Sequence, residues 1–99
     1  MRVISRKTLK DFWLQTAHRD AEIPLRYWYK EASSALWHDP HEIKRRYPHS
    51  SILPGGRVVF NIGGNKYRLV VVIRYDLGLV FIRFIGNHAE YDGIDAGSI

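Results

Sequence analysis

The sequence predicts an α+β fold: an antiparallel four-stranded sheet with an N-terminal helical hairpin packed on one face, all within a single domain spanning residues 1–99. Three observations carry this reading. Apolar residues recur at helical spacing from Leu9 to Leu36, β-branched and aromatic residues crowd the stretch from Arg57 to Ile85, and two turn sequences divide that stretch into three. A chain of 99 residues builds one hydrophobic core and little else.

Met1 to Ile4 is a short apolar strand. Ser5 then stands where a helix N-cap belongs, ahead of Leu9, Phe12, Trp13 and Thr16 or Ala17 on one helical face. After the polar break His18-Arg19-Asp20, a second stripe runs through Leu25, Trp28, Tyr29, Ala32 and Leu36, with Pro24 tolerated in the first turn because its missing N–H has no helical partner there. Asp39-Pro40 combines an N-cap with a first-turn proline, so a short third helix is expected through Glu42 to Tyr47, ended by Pro48. His49 to Gly56 reads as a loop. Arg57–Asn61, Lys66–Tyr75 and Leu79–Ile85 then read as strands joined by Ile62-Gly63-Gly64-Asn65 and Asp76-Leu77-Gly78, an antiparallel meander to which the N-terminal strand adds a fourth member.

Composition narrows the chemistry. Hydrophobic residues make up 45% and charged residues 25%, which is a globular balance and not that of a disordered chain. The absence of cysteine excludes disulfides, thiolate metal sites and cysteine nucleophiles. No apolar run is long enough for a membrane span, and Met1 to Lys7 turns polar too soon for a secretory signal, so a soluble cytoplasmic protein is expected. The net charge of +5 favours polyanionic partners, although charge alone does not single out nucleic acid.

Period-two alternation places Lys66, Arg68, Val70, Val72 and Arg74 on one face of the middle strand, and Arg57 and Asn61 share a face of the strand before it. Arg83 interrupts an otherwise apolar strand. Burying it unpaired would cost several kcal/mol, so it either reaches solvent or a carboxylate in a purely structural role, or it meets a phosphate. Beyond that strand, Gly86-Asn87-His88-Ala89-Glu90-Tyr91-Asp92 gathers an imidazole, a phenol and carboxylates; in a helix His88 would share a face with Tyr91 and Asp92. Two readings stand for this segment. In one, Asn87 or Asp92 caps a helix and His88 bonds to backbone. In the other, His88 and Tyr91 perform proton transfers beside the basic face, where RNA cleavage without a metal needs a base for the ribose 2′-OH, an acid for the departing 5′-oxygen and cations for the phosphorane.

Other features carry less. His38, His41 and His49 lack a fourth ligand for zinc, so no metal and no cofactor is expected. Gly63-Gly64 joins two strands without the lysine of a phosphate loop. Lys44-Arg45-Arg46 reads as a solvated helix face, and Trp13 and Trp28 as core, which leaves Trp37 open between core packing and base stacking.

The stretches Val59-Phe60-Asn61-Ile62-Gly63-Gly64-Asn65-Lys66-Tyr67-Arg68-Leu69-Val70 and Phe81-Ile82-Arg83-Phe84-Ile85-Gly86-Asn87-His88-Ala89-Glu90-Tyr91-Asp92 closely resemble the HigB family of type II toxin–antitoxin toxins, with Lys7, Leu9-Lys10 and the Asp39-Pro40 entry also in keeping. The resemblance implies a RelE-like fold and metal-independent cleavage of messenger RNA on the ribosome. It also implies a HigA-type antitoxin, through which alone DNA would be contacted. It carries onto Asn61, Gly63, Gly64, Asn65 and Arg68 in the first motif and Arg83, His88, Tyr91 and Asp92 in the second. The roles that follow are His88 as general base or acid, Tyr91 as its partner, Arg68 and Arg83 on the phosphorane, and Lys66, Arg74, Arg57, Asn61 and Asn65 along the RNA. Gly63 and Gly64 serve the turn, with Asn61 and Asn65 expected to pin it by their side chains. A non-catalytic RNA- or ribosome-binding module is the rival; it would normally expose aromatic residues on central strands, whereas the aromatic positions here read as core. A transcription factor is a third reading, disfavoured because no helix-turn-helix pattern is evident.

Overall fold

A computed structural model describes residues 1–99. In chain order the elements are β1 (Arg2–Ile4), α1 (Arg6–Trp13), a 3-10 segment (Thr16–Ala21), α2 (Glu22–Ser34), α3 (Pro40–Arg46), β2 (Ser51–Ile52), β3 (Arg57–Ile62), β4 (Tyr67–Arg74), β5 (Leu79–Asn87) and α4 (His88–Asp92). The sheet has five strands in the order β1-β5-β4-β3-β2. The expected α+β class and the β3-β4-β5 meander are present, and two details of the expected antiparallel four-stranded sheet are corrected. β1 pairs with β5 in parallel, making the sheet mixed, and the expected loop from His49 to Gly56 contains β2, which extends the opposite edge through Ser51↔Val59 and Ile52↔Val58.

The helical layer forms because α1 and α2 each present one apolar stripe. Leu9, Phe12 and Trp13 of α1 and Leu25, Trp28 and Ala32 of α2 are buried, each large side chain contributing roughly 1.5–3 kcal/mol of burial free energy. Thr16 and Ala17 do not continue the α1 stripe: the chain leaves the α-helix after Trp13, and both are exposed in the 3-10 segment. Leu36 also falls outside its stripe, because α2 ends at Ser34. Ser5 occupies the N-cap position in the left-handed region (φ 72°), and its side chain makes no capping bond; its carbonyl accepts from Thr8 N at 2.9 Å. Guanidinium groups join the two helices, Arg26 lying 4.9 Å from the centroid of Trp13 and Arg6 4.6 Å from that of Tyr29.

α3 begins as its sequence requires, with the Asp39 carboxylate accepting from Glu42 N at 3.1 Å and Pro40 in the first turn. Its Ile43 joins a core cluster of 19 buried residues that includes Phe60, Ile62, Tyr67, Leu69, Val71, Ile73, Val80, Ile82 and Ile85 from the sheet. Trp37 is also core, with its ring 6.2 Å from Phe60 and 6.4 Å from Tyr47, so it is not available for base stacking.

Arg83 sits on a β-bulge. Val70 pairs with Phe84 and Val71 with Ile82, which leaves Arg83 as the extra residue of β5. Ile82 and Ile85 can therefore both face the helices, while Arg83 is exposed and forms no ion pair within the chain. The second face of the sheet is not open either. Val59 and Val70 lie on it and are buried, α4 packs against β4 and β5, and the C-terminal segment returns far enough for Ile99 O to accept from Arg57 Nε at 2.9 Å. No helix is long and apolar enough to cross a membrane.

Candidate active site

One end of the sheet is closed by the β3–β4 turn, where Gly63 and Gly64 adopt φ of +63° and +71°, a region that side-chain-bearing residues avoid. The register Ile62↔Tyr67 and Tyr67↔Asn87 brings this turn beside the end of β5, where α4 starts. Asn87 caps α4 by accepting from Glu90 N at 2.9 Å, and the Glu90 carboxylate accepts from Asn87 N at 3.0 Å, a complete capping box. This fixes His88 in the first turn. His88 Nε2 bonds to the Asn65 carbonyl, and Arg68 Nη1 donates to the same oxygen at 3.4 Å. A carbonyl oxygen only accepts, so Nε2 carries a hydrogen, and in the neutral ring Nδ1 holds the free lone pair. An imidazole and a guanidinium thus converge on one backbone atom.

Gly86 makes that convergence possible. It pairs with Arg68, and a Cβ there would stand 2.5 Å from Phe84 Cζ and 3.0 Å from Glu90 Cβ. Gly86→Ala should push α4 off β5 and cost about 1–3 kcal/mol, the usual range for overpacking. Thermal unfolding checks the loss of stability, and displaced amide resonances at Asn65 and His88 check the displacement.

Tyr91 is half-buried with its ring 6.4 Å from Phe84, and its hydroxyl makes no hydrogen bond to His88 or to any other group in the chain. Both structural features read for this segment, the Asn87 cap and the backbone bond of His88, are present. Arg83 lies three residues before Gly86 along β5, roughly 10 Å at strand spacing.

The remaining basic residues do not join this cluster. Arg74 lies six residues beyond Arg68, about 20 Å along β4, and chelates Asp76 at 3.0 and 3.1 Å. Arg57 pairs across from Val72 and is held by the Ile99 carbonyl. Asn61 is opposite Arg68, but its Nδ2 donates to His49 O at 3.3 Å and does not pin the turn; Asn65 contributes its backbone carbonyl and not its side chain. Lys66 lies at the correct end of the sheet, where it is drawn toward the helical layer by an ion pair with Asp20.

His18-Arg19-Asp20, a polar break between two helical stripes in the sequence, braces the site. The Asp20 carboxylate accepts from Lys66 Nζ and from the hydroxyl of Tyr67. These bonds, the one from Lys66 first, hold the Asp20 carboxyl below its ordinary range, and burial followed by the bond to Asp20 pushes the Tyr67 phenol up. The His18 ring stacks on Phe12 (centroids 4.0 Å apart), meets Tyr67 edge-on at 5.8 Å, and places Nε2 3.9 Å from the Glu90 carboxylate. The helical layer therefore grips both the base of the turn and α4. Because the folded Asp20 value lies below the unfolded one, its stabilisation is fully present above about pH 3.8 and is lost as pH falls through the lowered value. Asp20→Asn should be less stable than wild type at neutral pH, with the gap closing at the acid end of that window, as read by denaturant unfolding at stepped pH.

The histidines of the α3 region serve local carboxylates: His38 Nδ1 is 3.0 Å from Glu42 and His41 Nδ1 is 3.7 Å from Asp39.

A family model described as HigB_toxin, the RelE-like toxic component of a toxin-antitoxin system, matches residues 21–94. The matched range contains α2, α3, all of β2 to β5 and α4, and so the whole His88–Asn65–Arg68 cluster; His18 and Asp20 precede it. No curated protein matched the chain.

Proposed function

The chain belongs to the HigB family of RelE-like toxins, the toxic components of toxin–antitoxin systems, and on that premise we propose that it is a metal-independent endoribonuclease cleaving messenger RNA on translating ribosomes. In this reading it acts in the cytoplasm, arrests translation and growth, and is neutralised by a HigA-type antitoxin. The observation that supports it is the meeting of His88 and Arg68 at the Asn65 carbonyl.

The chemistry follows from the donor set. His88 Nδ1 takes the proton of a ribose 2′-OH, whose oxygen attacks the neighbouring phosphorus; the 5′-oxygen leaves with a proton from Tyr91, and a 2′,3′-cyclic phosphate remains. Arg68, already aimed at the cluster, and the unpaired Arg83 stabilise the phosphorane. Asn65 orients both His88 and Arg68. Lys66, Asn61 and Arg57 are engaged by Asp20, His49 and Ile99, so their contribution is first to hold the turn, the loop and the C-terminal segment, and any RNA contact exchanges an existing bond. Arg74 can meet only a distant phosphate.

Mapping RNA 5′ ends after induced expression tests this reading. New ends within translated messages, absent when His88→Ala is expressed at equal level, are expected. Growth arrest with intact transcripts would instead favour the non-catalytic ribosome-binding module.

A further inference from the structure

On the side of α2 that faces away from the sheet, Ile23, Tyr27, Glu31 and Ser34 recur every three or four residues and form one stripe, continued by Leu36. Leu36, Ile23 and Tyr27 are 68%, 67% and 73% exposed, more than any other large apolar side chain of the molecule. Tyr27 and Leu36 border two hollows between α2 and α3, of about 290 and 550 Å³ respectively, and Ile23 lies one helical turn before Tyr27. The hollows meet at the ion pair of Glu31 with Arg46, which joins them into one groove. From Ile23 to Ser34 the stripe is about 16 Å long, some three turns of a partner helix. Trp28 lines the groove, and its buried indole N–H finds no acceptor within the chain.

We propose that this groove is the docking surface for the antitoxin, which presents to it an amphipathic helix with apolar residues at i and i+4 and a carboxylate near its end. The inference rests on the toxin–antitoxin assignment and not on the ribonuclease chemistry. Exposed apolar side chains at both ends of the groove, Tyr27 and Leu36, call for an apolar face, which favours a protein. Arg45, exposed at the Leu36 end without a carboxylate partner, supplies the charge complement. On the groove wall Glu31 and Glu42 offset Arg45 and Arg46, so the groove lacks the net positive charge that would hold a phosphate chain, which disfavours RNA as the occupant. The near end of the groove is Gly63, in the turn that carries Asn65, so the docked helix lies beside the His88 cluster and leaves it uncovered.

The test uses the full chain and the purified cognate antitoxin in titration calorimetry. Tyr27→Asp and Leu36→Asp should each weaken binding at least tenfold, Arg45→Glu should weaken it several-fold, and Leu77→Asp, at another exposed apolar position, in the β4–β5 turn, should leave it unchanged. The same variants should keep wild-type toxicity when expressed alone and resist neutralisation when the antitoxin is co-expressed. Wild-type antitoxin affinity in Tyr27→Asp and Leu36→Asp would overturn the proposal. So would unchanged antitoxin affinity with lost binding to a single-stranded RNA oligonucleotide, or with conversion of a wild-type dimer to monomer in sedimentation, since these identify a different occupant. Failure of the ribonuclease reading leaves these affinities untouched, because that failure would be read in RNA ends.

Discussion

His88→Ala is expected to lower RNA cleavage by about 10²–10⁴-fold, the usual contribution of a positioned general acid or base. Arg68→Ala should cost about 10²–10³-fold, as removal of one charge-stabilising donor does. Neither change should unfold the protein, because His88 is exposed and the start of α4 is held by Asn87 and Glu90, while Arg68 contributes only a long bond to a turn carbonyl. Since His88 Nε2 already bonds to Asn65 O, loss of activity in the alanine variant has two possible origins, a lost base or a loosened turn. His88→Gln separates them. A glutamine amide retains an N–H donor near the position of Nε2 and has no lone pair equivalent to that on Nδ1. If the side chain works through Nδ1, glutamine is as inactive as alanine in single-turnover cleavage of a model RNA. Restored cleavage in the glutamine variant would reduce His88 to a strut for the β3–β4 turn, and the base would have to be sought elsewhere in the cluster.

That ambiguity was already visible in the sequence, where a capped helix start with a backbone-bonded histidine and a catalytic grouping used the same residues. The structure shows the cap and the backbone bond, and these engage one ring nitrogen of His88 while leaving the other without a partner in the chain. What the sequence made legible were local features: the Asn87 and Asp39 caps, the Gly63-Gly64 turn, and the strands β3 to β5, whose β-branched residues leave little alternative. The parallel pairing of β1 with β5 was not legible, since three residues carry no information about which strand they meet. Nor was β2, whose two residues show no periodicity.

Arg83 is an intermediate case. The buried positions Val80, Ile82 and Ile85 change spacing from two to three, and that break is itself the signature of an extra residue in the strand. Read that way, the arginine needs no buried partner. His18 and Asp20 gave no such signal. Their partners Glu90, Lys66 and Tyr67 lie tens of residues away, Asp20 being separated from Lys66 by 46 positions, so only the folded chain reveals that the polar break is a brace. The same long range explains why the basic residues of β3 and β4 did not act as one face: alternation gives the side of the sheet correctly, but it is silent about position along a strand and about what lies over it.

The largest loss of stability should come from Phe60→Ala. Phe60 is 1% exposed and stands where β3, α2, α3 and the connection between the helices meet, its ring 5.4 Å from Trp28, 4.9 Å from Tyr47 and 6.2 Å from Trp37. Truncation removes the burial of the ring, opens a cavity that three rigid neighbours cannot fill, and deletes aromatic contacts worth about 0.5–1.5 kcal/mol each beyond area. The sum expected is about 3–5 kcal/mol, against a total of roughly 5–15 kcal/mol for a domain of ordinary stability. Urea unfolding should show a lower midpoint with an unchanged slope, and the melting temperature should fall by at least about 12 °C. Tyr27→Asp lies on the same helix α2 as Trp28 but on its exposed side, and should change stability by no more than about 0.5 kcal/mol. A comparable loss from both substitutions would mean that the outer face of α2 is structural, whereas the expected contrast leaves Tyr27 free of any role in folding and available to a partner.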